Sequence, residues 1–308
     1  MSAIAFVSFK GGSGRSVSLA NIAFQAVTKL GKTVGCIDAD IESGGLHTVF
    51  GLNAPFDEFD GAANMWTEYF PTQVYLSQDV FRDEEMRKHG VEVTDATMWP
   101  SIVRDRFAID VSKHTIPLYL KESLSGPNVG RLFLIAAAAN ATLTGRVETG
   151  GDMFPHFLHL LQDYKEGCKL DHLFVDCRSG ISKLGLPPLM FVDATVVCMR
   201  WGAQHRAGTE RLIRWYSNWM AQRPRKSKIF LLVASPDKAG LRKGSAEAFV
   251  KEAGLTKTIE GIFHVPFLPD LLHKDRIVLE DDAVKYQQAI HEIAAALTAL
   301  EPVGKSSS

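Results

Sequence analysis

The 308-residue sequence lacks a strong excess of either charge, and it lacks long apolar runs. The formal net charge is −1, so a nucleic acid or membrane partner would have to be met by a local patch of charge. No apolar run reaches the roughly 18 residues of a membrane-spanning helix. The N-terminus reads as a strand, without the basic and apolar stretches of a signal peptide. These absences predict a cytoplasmic protein.

Cysteine pairs, metal-binding spacings and nucleophile motifs are also missing. None of the four cysteines forms a C-x-x-C pair, and Cys36 and Cys198 lie in apolar runs typical of a buried, reduced core. The ten histidines form no H-E-x-x-H pattern, and no serine or cysteine has the context of a nucleophile elbow. Hydrolysis by a metallopeptidase centre or by a serine or cysteine nucleophile therefore has no support.

The sequence does contain short apolar runs that alternate with longer amphipathic stretches, a pattern typical of a parallel sheet covered by helices. The predicted strands are Ile4–Ser8, Thr33–Asp38, Arg131–Ala136, His172–Asp176, Ala194–Met199, Lys228–Ala234 and Ile259–Val265. The predicted helices include Phe154–Tyr164, Thr209–Ala221, Ser245–Glu252 and Asp281–Leu300. The predicted fold class is α/β, with a mostly parallel central sheet between two layers of helices in a single domain.

Residues 53–128 interrupt this alternation with an aromatic-rich, irregular stretch. A connection of this length rarely lacks structure of its own. We interpret it either as a helical or irregular insertion packed on the core, or as a lid beside the ligand site that is specific for a partner or substrate. The polar tail, residues 301–308, is predicted to be disordered.

A glycine-rich segment, F-K-G-G-S-G-R-S at residues 9–16, links the first predicted strand to a helical pattern. Backbone N–H groups in such a loop can turn around an anion, and the helix N-terminus adds partial positive charge. The predicted phosphate cradle consists of Gly11, Gly12, Ser13, Gly14, Arg15 and Ser16, with Val17 opening the helix. The hydroxyl of Ser16 is placed to hold Mg²⁺.

Carboxylates follow two of the predicted strands. Asp38 and Asp40 belong to the segment D-A-D-I-E-S-G-G-L, and Asp176 ends the strand His172–Asp176. Open α/β sheets bind ligands at the carboxyl ends of their strands. Ser16, Asp38 and Asp176 are therefore the predicted magnesium-binding residues.

These two motifs resemble those of the ParA/MinD family of dimeric ATPases. The family's deviant Walker A pattern K-G-G-x-G-K-S/T is matched everywhere except at Arg15, and the closest resemblance is to a subgroup reading K-G-G-x-G-R. The resemblance covers most of the chain. It implies a P-loop NTPase fold of the SIMIBI class, ATP and Mg²⁺ as cofactors, and a homodimer bridged by nucleotide.

The resemblance also implies roles for individual residues. Lys10 would reach across the dimer to the partner's phosphates, as an arginine finger does; a solvated loop lysine is the alternative. Asp40 would help to position the attacking water. Asp176 would be the Walker B acid, and the amide of Gly180 would sense the γ-phosphate. ATP rather than GTP rests on the resemblance alone.

Arg15 departs from the family's main pattern, because a planar guanidinium does not replace a lysine ammonium conservatively. It can still bind phosphate oxygens in a bidentate manner. Nucleotide binding is thus a firmer expectation than turnover, which is expected to be slow or absent.

Base recognition has a weaker signature. The asparagine that family members often carry after the equivalent of Leu231–Val233 is missing, because this chain has A-S-P-D at residues 234–237. The later loop does contain Pro266 and Phe267, which would flank an adenine in the family, although both can equally belong to a plain turn.

A basic patch spans Arg206 to Lys228. Its members are Arg206, Arg211, Arg214, Arg223, Arg225, Lys226 and Lys228. Some ParA-like proteins bind DNA non-specifically through basic helices, in a strongly salt-sensitive way; a solvated face is the alternative. The polar C-terminal tail argues against a MinD-like membrane helix.

The sequence thus favours a slowly hydrolysing ATP·Mg²⁺ switch that dimerises across the nucleotide and signals to a protein partner. Two alternatives remain open. Arg15 is consistent with a nucleotide sensor that does not hydrolyse, whereas a metabolic P-loop ligase would need a substrate pocket built by residues 53–128. Lys10 argues against the ligase, because such an enzyme needs no lysine acting in trans.

Overall fold

The computed structural model describes residues 1–40, 44–52, 111–118, 128–137, 161, 163–181, 187–222, 227–234, 244–266, 268–272, 274–279 and 283–302. Within these ranges the strands are β1 (Ser2–Ser8), β2 (Val34–Asp38), β3 (Ile116–Leu118), β4 (Leu132–Ile135), β5 (His172–Asp176), β6 (Ala194–Arg200), β7 (Lys228–Ala234) and β8 (Gly261–Val265). The α-helices are α1 (Arg15–Thr28), α2 (Leu46–Val49), α3 (Ala203–Ala221), α4 (Ser245–Glu252) and α5 (Val284–Thr298), and 3₁₀ turns cover Val111–His114, Pro187–Met190 and Pro269–Leu272.

The strands form one sheet in the order β3-β4-β2-β5-β1-β6-β7-β8. All neighbours are parallel except β3 and β4, which are antiparallel. The predicted α/β class with a mostly parallel sheet is therefore confirmed. Because β2, β5 and β1 are adjacent, the loop that follows β1 begins next to the carboxyl ends of β5 and β2.

The central strands are buried on both faces, which explains why their sequences read as continuous apolar runs. Successive side chains of β1 point to opposite sides of the sheet. Ala5 packs in a core with Leu212 of α3 and Phe249 of α4. Phe6 packs in a second core with Ile22 of α1 and Ile290 of α5. The sheet therefore lies between two helical layers.

The predicted bounds of β5 and β7 are identical to the observed ones, and α4 is also identical. Strand β3 was not predicted; it is a three-residue edge strand inside the 53–128 stretch. Most of that stretch, most of the predicted helix Phe154–Tyr164 and residues 303–308 lie outside the described residues. None of the described helices is both long and apolar enough to cross a membrane.

A buried histidine at the amino end of the sheet makes the stability pH-dependent. His172 Nδ1 and Ser2 Oγ lie 2.7 Å apart, and burial lowers the pKa of His172 to about 4. The unfolded chain has a histidine pKa of about 6.5. At pH values between about 4 and 6.5 the unfolded state binds more protons than the folded state. The stability that depends on a neutral His172 is therefore fully present above about pH 6.5 and is lost as the pH falls toward 4.

We expect His172→Gln to reduce this loss. The measurement is the free energy of unfolding in urea for both proteins at pH 7 and pH 5. The wild type should lose more stability than the variant between these pH values. An equal loss in the two proteins would show that His172 is not responsible.

Candidate functional site

The glycine-rich loop between β1 and α1 forms an open cradle. Gly12 and Gly14 have left-handed backbone conformations, with φ of 69° and 78°, which residues other than glycine rarely adopt. Gly14 caps α1, and its carbonyl accepts the Ser18 N–H at 2.9 Å. A Cβ atom built on Gly11 or Gly12 would meet nothing within 4 Å. The loop therefore leaves space for an anion at the positive end of α1.

Arg15, the first residue of α1, contacts two of the predicted acids. Its Nε donates a hydrogen bond to Asp176 Oδ1, and its Nη2 donates to Asp40 Oδ2 at 3.3 Å. The Arg15 side chain is only 10% exposed. Burial alone would lower the pKa of Arg15, but the attraction of Asp176 and Asp40 outweighs it and raises the pKa. The guanidinium therefore stays charged and bridges the ends of two strands.

Asp38 and Asp176 end adjacent strands and stand opposite each other in the register of β2 and β5. Asp38 Oδ1 accepts the Asp40 N–H at 3.2 Å, and Asp38 Oδ2 accepts the Leu46 N–H at 3.0 Å. Complete burial raises the pKa of Asp38 to about 8, and the Asp176 carboxylate adds to this effect. Asp38 therefore organises the chain after β2 through backbone amides, in addition to any contact with a metal.

The residues present fit a magnesium ion held partly by phosphates. Burial raises the pKa of Asp176, while Arg15 and the hydroxyl of Ser16 act in the opposite direction. Asp176 Oδ2 is buried and has no hydrogen-bond partner in the described part of the chain. No group of three or more His, Cys, Asp or Glu side chains suited to a metal occurs among the described residues. One carboxylate and one hydroxyl suit Mg²⁺, which usually completes its shell with waters and substrate phosphates.

A cavity of about 280 Å³ adjoins the cradle. Its lining consists of Gly12, Ser13, Gly14, Val17, Ser18, Arg200, Ala234, Val265, Pro266, Leu268, Leu271, Asp275 and Tyr286. Pro266, one of the two residues predicted to flank the base, lines the cavity, whereas Phe267 lies outside the described residues. Ala234 lines the cavity where the family often has asparagine. Arg200, Asp275 and Tyr286 were not predicted, because they are far from the motifs in sequence.

A buried asparagine holds one wall of this cavity. Asn21 Nδ2 donates to the carbonyls of Val17 and Arg276, at 2.9 and 3.1 Å, and its Oδ1 accepts the Val278 N–H at 2.8 Å. These bonds tie the chain around Asp275 to α1.

Asn21→Ala should destabilise the protein by about 1–3 kcal/mol, because it leaves buried backbone groups without partners. Urea unfolding measures this loss. Asn218→Ala, at an exposed position of α3, is the matched control for the change in helix propensity. An equal effect of the two substitutions would contradict the role of Asn21.

Lys10 lies on the outer side of the cradle. Its Nζ donates to Gln204 Oε1 at 3.0 Å, near the start of α3, and the residue is exposed. The preceding Phe9 packs against α3 so closely that a Cβ atom on Gly208 would overlap its ring. Phe9 therefore anchors the loop while the Lys10 amine remains at the surface.

The loop after β5 also borders the cradle. Gly180 has a φ of 86°, and its N–H donates to the carbonyl of Ser8 at 2.8 Å. This amide, which the resemblance assigns to sensing the γ-phosphate, is therefore bonded to the end of β1. It would have to leave Ser8 before it could contact a phosphate.

The basic patch is only partly described. Arg214 forms an ion pair with Glu210 at 2.9 Å and also donates to the carbonyl of Ala253. The Arg206 guanidinium stacks 5.2 Å above the ring of Trp201. Arg211 is exposed, and residues 223–226 lie outside the described ranges. Several of these charges thus have intramolecular contacts.

The chain matches no protein-family model and no curated protein sequence, but it is similar to solved structures. Cell division protein MinD of Aquifex aeolicus is 19% identical with a TM-score of 0.59, covering 98% of both chains. A ParA family ATPase of Chlorobium tepidum is 17% identical with a TM-score of 0.56, covering 96% of this chain and 98% of that one. MinD of Pyrococcus horikoshii, solved with Mg-ADP, is 14% identical with a TM-score of 0.56, covering 97% and 99%. The chain therefore has the fold of the MinD and ParA P-loop ATPases, as the sequence motifs predicted.

Proposed function

We propose that the protein is a molecular switch that binds ATP with Mg²⁺, hydrolyses it slowly, dimerises across the nucleotide and signals to a partner protein. The observation that carries the proposal is the open glycine cradle at the start of α1. It faces carboxylates on the adjacent strands β2 and β5 and continues into a cavity of about 280 Å³.

The cradle accounts for phosphate binding. The backbone N–H groups of the loop and the first turn of α1 supply donors and partial positive charge. Ser16 and Asp176 would hold the metal, which neutralises phosphate charge when bound. The Mg-ADP complex of the Pyrococcus horikoshii protein supports this ligand for a chain of the same fold.

The cavity accounts for the nucleoside. Apolar side chains, among them Val17, Val265 and Leu268, offer a surface for a planar base. Pro266 is in contact with the same space. Asn21 keeps the facing wall in place through its bonds to Arg276 and Val278.

The contact between Asp40 and Arg15 supports slow turnover. A carboxylate that positions water must be free to accept a proton or hydrogen bond from it. Asp40 instead accepts a hydrogen bond from Arg15 and is nearly buried, with a side chain 6% exposed. In every catalytic cycle Arg15 would therefore have to move away from Asp40 or share it with the attacking water.

The exposed position of Lys10 supports dimerisation. Its ammonium is exposed beside the cradle, and Gln204 holds it toward the start of α3. A second copy facing the cradle would bring its own Lys10 to the nucleotide of the first copy. The nucleotide would thereby bind the two chains together.

The test is equilibrium binding of radiolabelled ATP with Mg²⁺, followed by a phosphate-release assay. We expect saturable binding of one nucleotide per chain, competition by ADP, and slow release of phosphate. Binding that ADP does not displace, or no saturable binding, would contradict the proposal.

A nucleotide sensor without hydrolysis is the second candidate, and the contact between Arg15 and Asp40 favours it. Both candidates predict binding and ATP-dependent dimers. Phosphate release separates them, because a pure sensor shows none above the rate of ATP in buffer.

A further inference from the structure

We propose that Arg15 is a built-in counter-ion of the metal site, so that the nucleotide-free protein excludes divalent metal and admits it only together with a nucleotide. This inference rests on the proposed function, since it concerns the same site. Arg15 alone would then couple the binding of nucleotide to the binding of metal.

The geometry places one cation between two carboxylates. Asp176 comes from the end of β5, and Asp40 follows the end of β2. The Arg15 guanidinium contacts both, through Nε and Nη2 respectively. All three side chains are at most 10% exposed. Water can therefore screen these charges only weakly, and the guanidinium lies in direct contact with both carboxylates.

The fork shape of arginine makes this bridge possible. A guanidinium presents donors in several directions of one plane, so it can contact two carboxylates at once, whereas an ammonium is a compact point charge. The family's lysine at this position would not span the same pair in the same way. Arg15, the residue that departs from the family pattern, is thus the one that contacts both Asp176 and Asp40.

The second oxygen of Asp176 offers a place for the metal. Asp176 Oδ2 is buried and has no hydrogen-bond partner in the described chain, and the Ser16 hydroxyl at the start of α1 lies within reach of the Asp176 carboxylate. This oxygen is available for a metal. A divalent ion there would stand close to the guanidinium on Asp176 Oδ1, and two buried cations repel each other strongly.

A nucleotide relieves that repulsion, because its phosphates offer Arg15 another set of acceptors and add negative charge to the site. Arg15 then leaves Asp176 and Asp40, and the metal takes its place. Coupling of this kind is reciprocal: if the nucleotide strengthens metal binding, the metal strengthens nucleotide binding by the same factor.

The experiment is equilibrium dialysis against Mn²⁺ without nucleotide, with bound metal counted per chain. Arg15→Gln removes the charge and keeps a hydrogen-bond donor. It should bind Mn²⁺ on the order of tenfold more tightly than the wild type, because the repulsion between the cations is removed. Arg211→Gln, at an exposed site on α3, is the matched control and should match the wild type.

Loss of Arg15 removes a buried counter-ion from the two acids, so folding is checked by circular dichroism and a second variant is included. Arg15→Lys keeps a positive charge but not the fork, and should give an intermediate Mn²⁺ affinity. For the wild type, ADP at equal concentration on both sides of the membrane should raise the bound Mn²⁺ to one per chain.

The proposal is overturned if the wild type binds Mn²⁺ as tightly without ADP as with it. It is also overturned if folded Arg15→Gln and Arg15→Lys bind Mn²⁺ no more tightly than the wild type. Failure of the proposed function looks different: ADP would not bind at all. The variants measured without nucleotide would still report on the counter-ion.

Discussion

Lys10→Ala is expected to lower ATP turnover by about 1000-fold, the effect of losing a cation that acts on the transferring phosphate. Binding of ATP to the single chain should change by no more than about twofold, because the exposed Lys10 side chain contacts Gln204 and is not among the residues that line the cavity. The variant should also fail to form ATP-dependent dimers. Steady-state phosphate release and nucleotide titration measure the two effects separately.

Lys29→Ala is the matched control for this substitution. Lys29 is also an exposed lysine, but it follows the last turn of α1, at the far end of the helix from the cradle. It should keep wild-type turnover and dimerisation. A Lys10→Ala variant that still turns over ATP like the wild type would show that Lys10 is an ordinary solvated lysine.

Gly14→Val is expected to weaken nucleotide binding by at least about 100-fold, or about 2.8 kcal/mol. In the protein without ligand, a Cβ atom on Gly14 would meet Ala234 Cβ at 3.8 Å and Ser18 Oγ at 3.9 Å, which are ordinary contact distances. The added side chain would nevertheless lie in the lining of the cavity and compete with the nucleotide for space. Isothermal titration with ADP measures the loss.

The backbone strain of valine at a φ of 78° has to be separated from this steric effect. Gly254 provides the control, because it has a φ of 65° and open space around it at the end of α4. Gly254→Val should carry a similar strain of about 1–3 kcal/mol and leave ADP affinity unchanged. Equal losses of affinity in the two variants would contradict the cradle.

The parallel sheet and the proximity of Asp38 to Asp176 could both be predicted from the sequence. Strands buried on both faces have continuous apolar sequences, and the carboxyl ends of parallel strands share one edge of the sheet. Asp38 and Asp176 could therefore be placed together without a structure. The observed register pairs these two residues directly.

Contacts between side chains distant in sequence were not predictable in the same way. Arg15 was expected to face phosphates, and its bridge to Asp176 depends on where a long side chain points after folding. Asn21 contacts residues more than 250 positions away, and no local pattern indicates such bonds. The edge strand β3 is only three residues long, contains Pro117 and is antiparallel, so it lacks the pattern of the other strands.

The mass of the protein in solution, measured by light scattering, tests the proposed switch most directly. The chain has a mass of 33.9 kDa, and samples would contain no nucleotide, ADP, ATP, or a slowly hydrolysed ATP analogue, each with Mg²⁺. We expect a monomer without nucleotide and twice that mass with ATP or the analogue, with the doubling lost in Lys10→Ala. A mass that stays the same in all four samples, while ATP demonstrably binds, would contradict it.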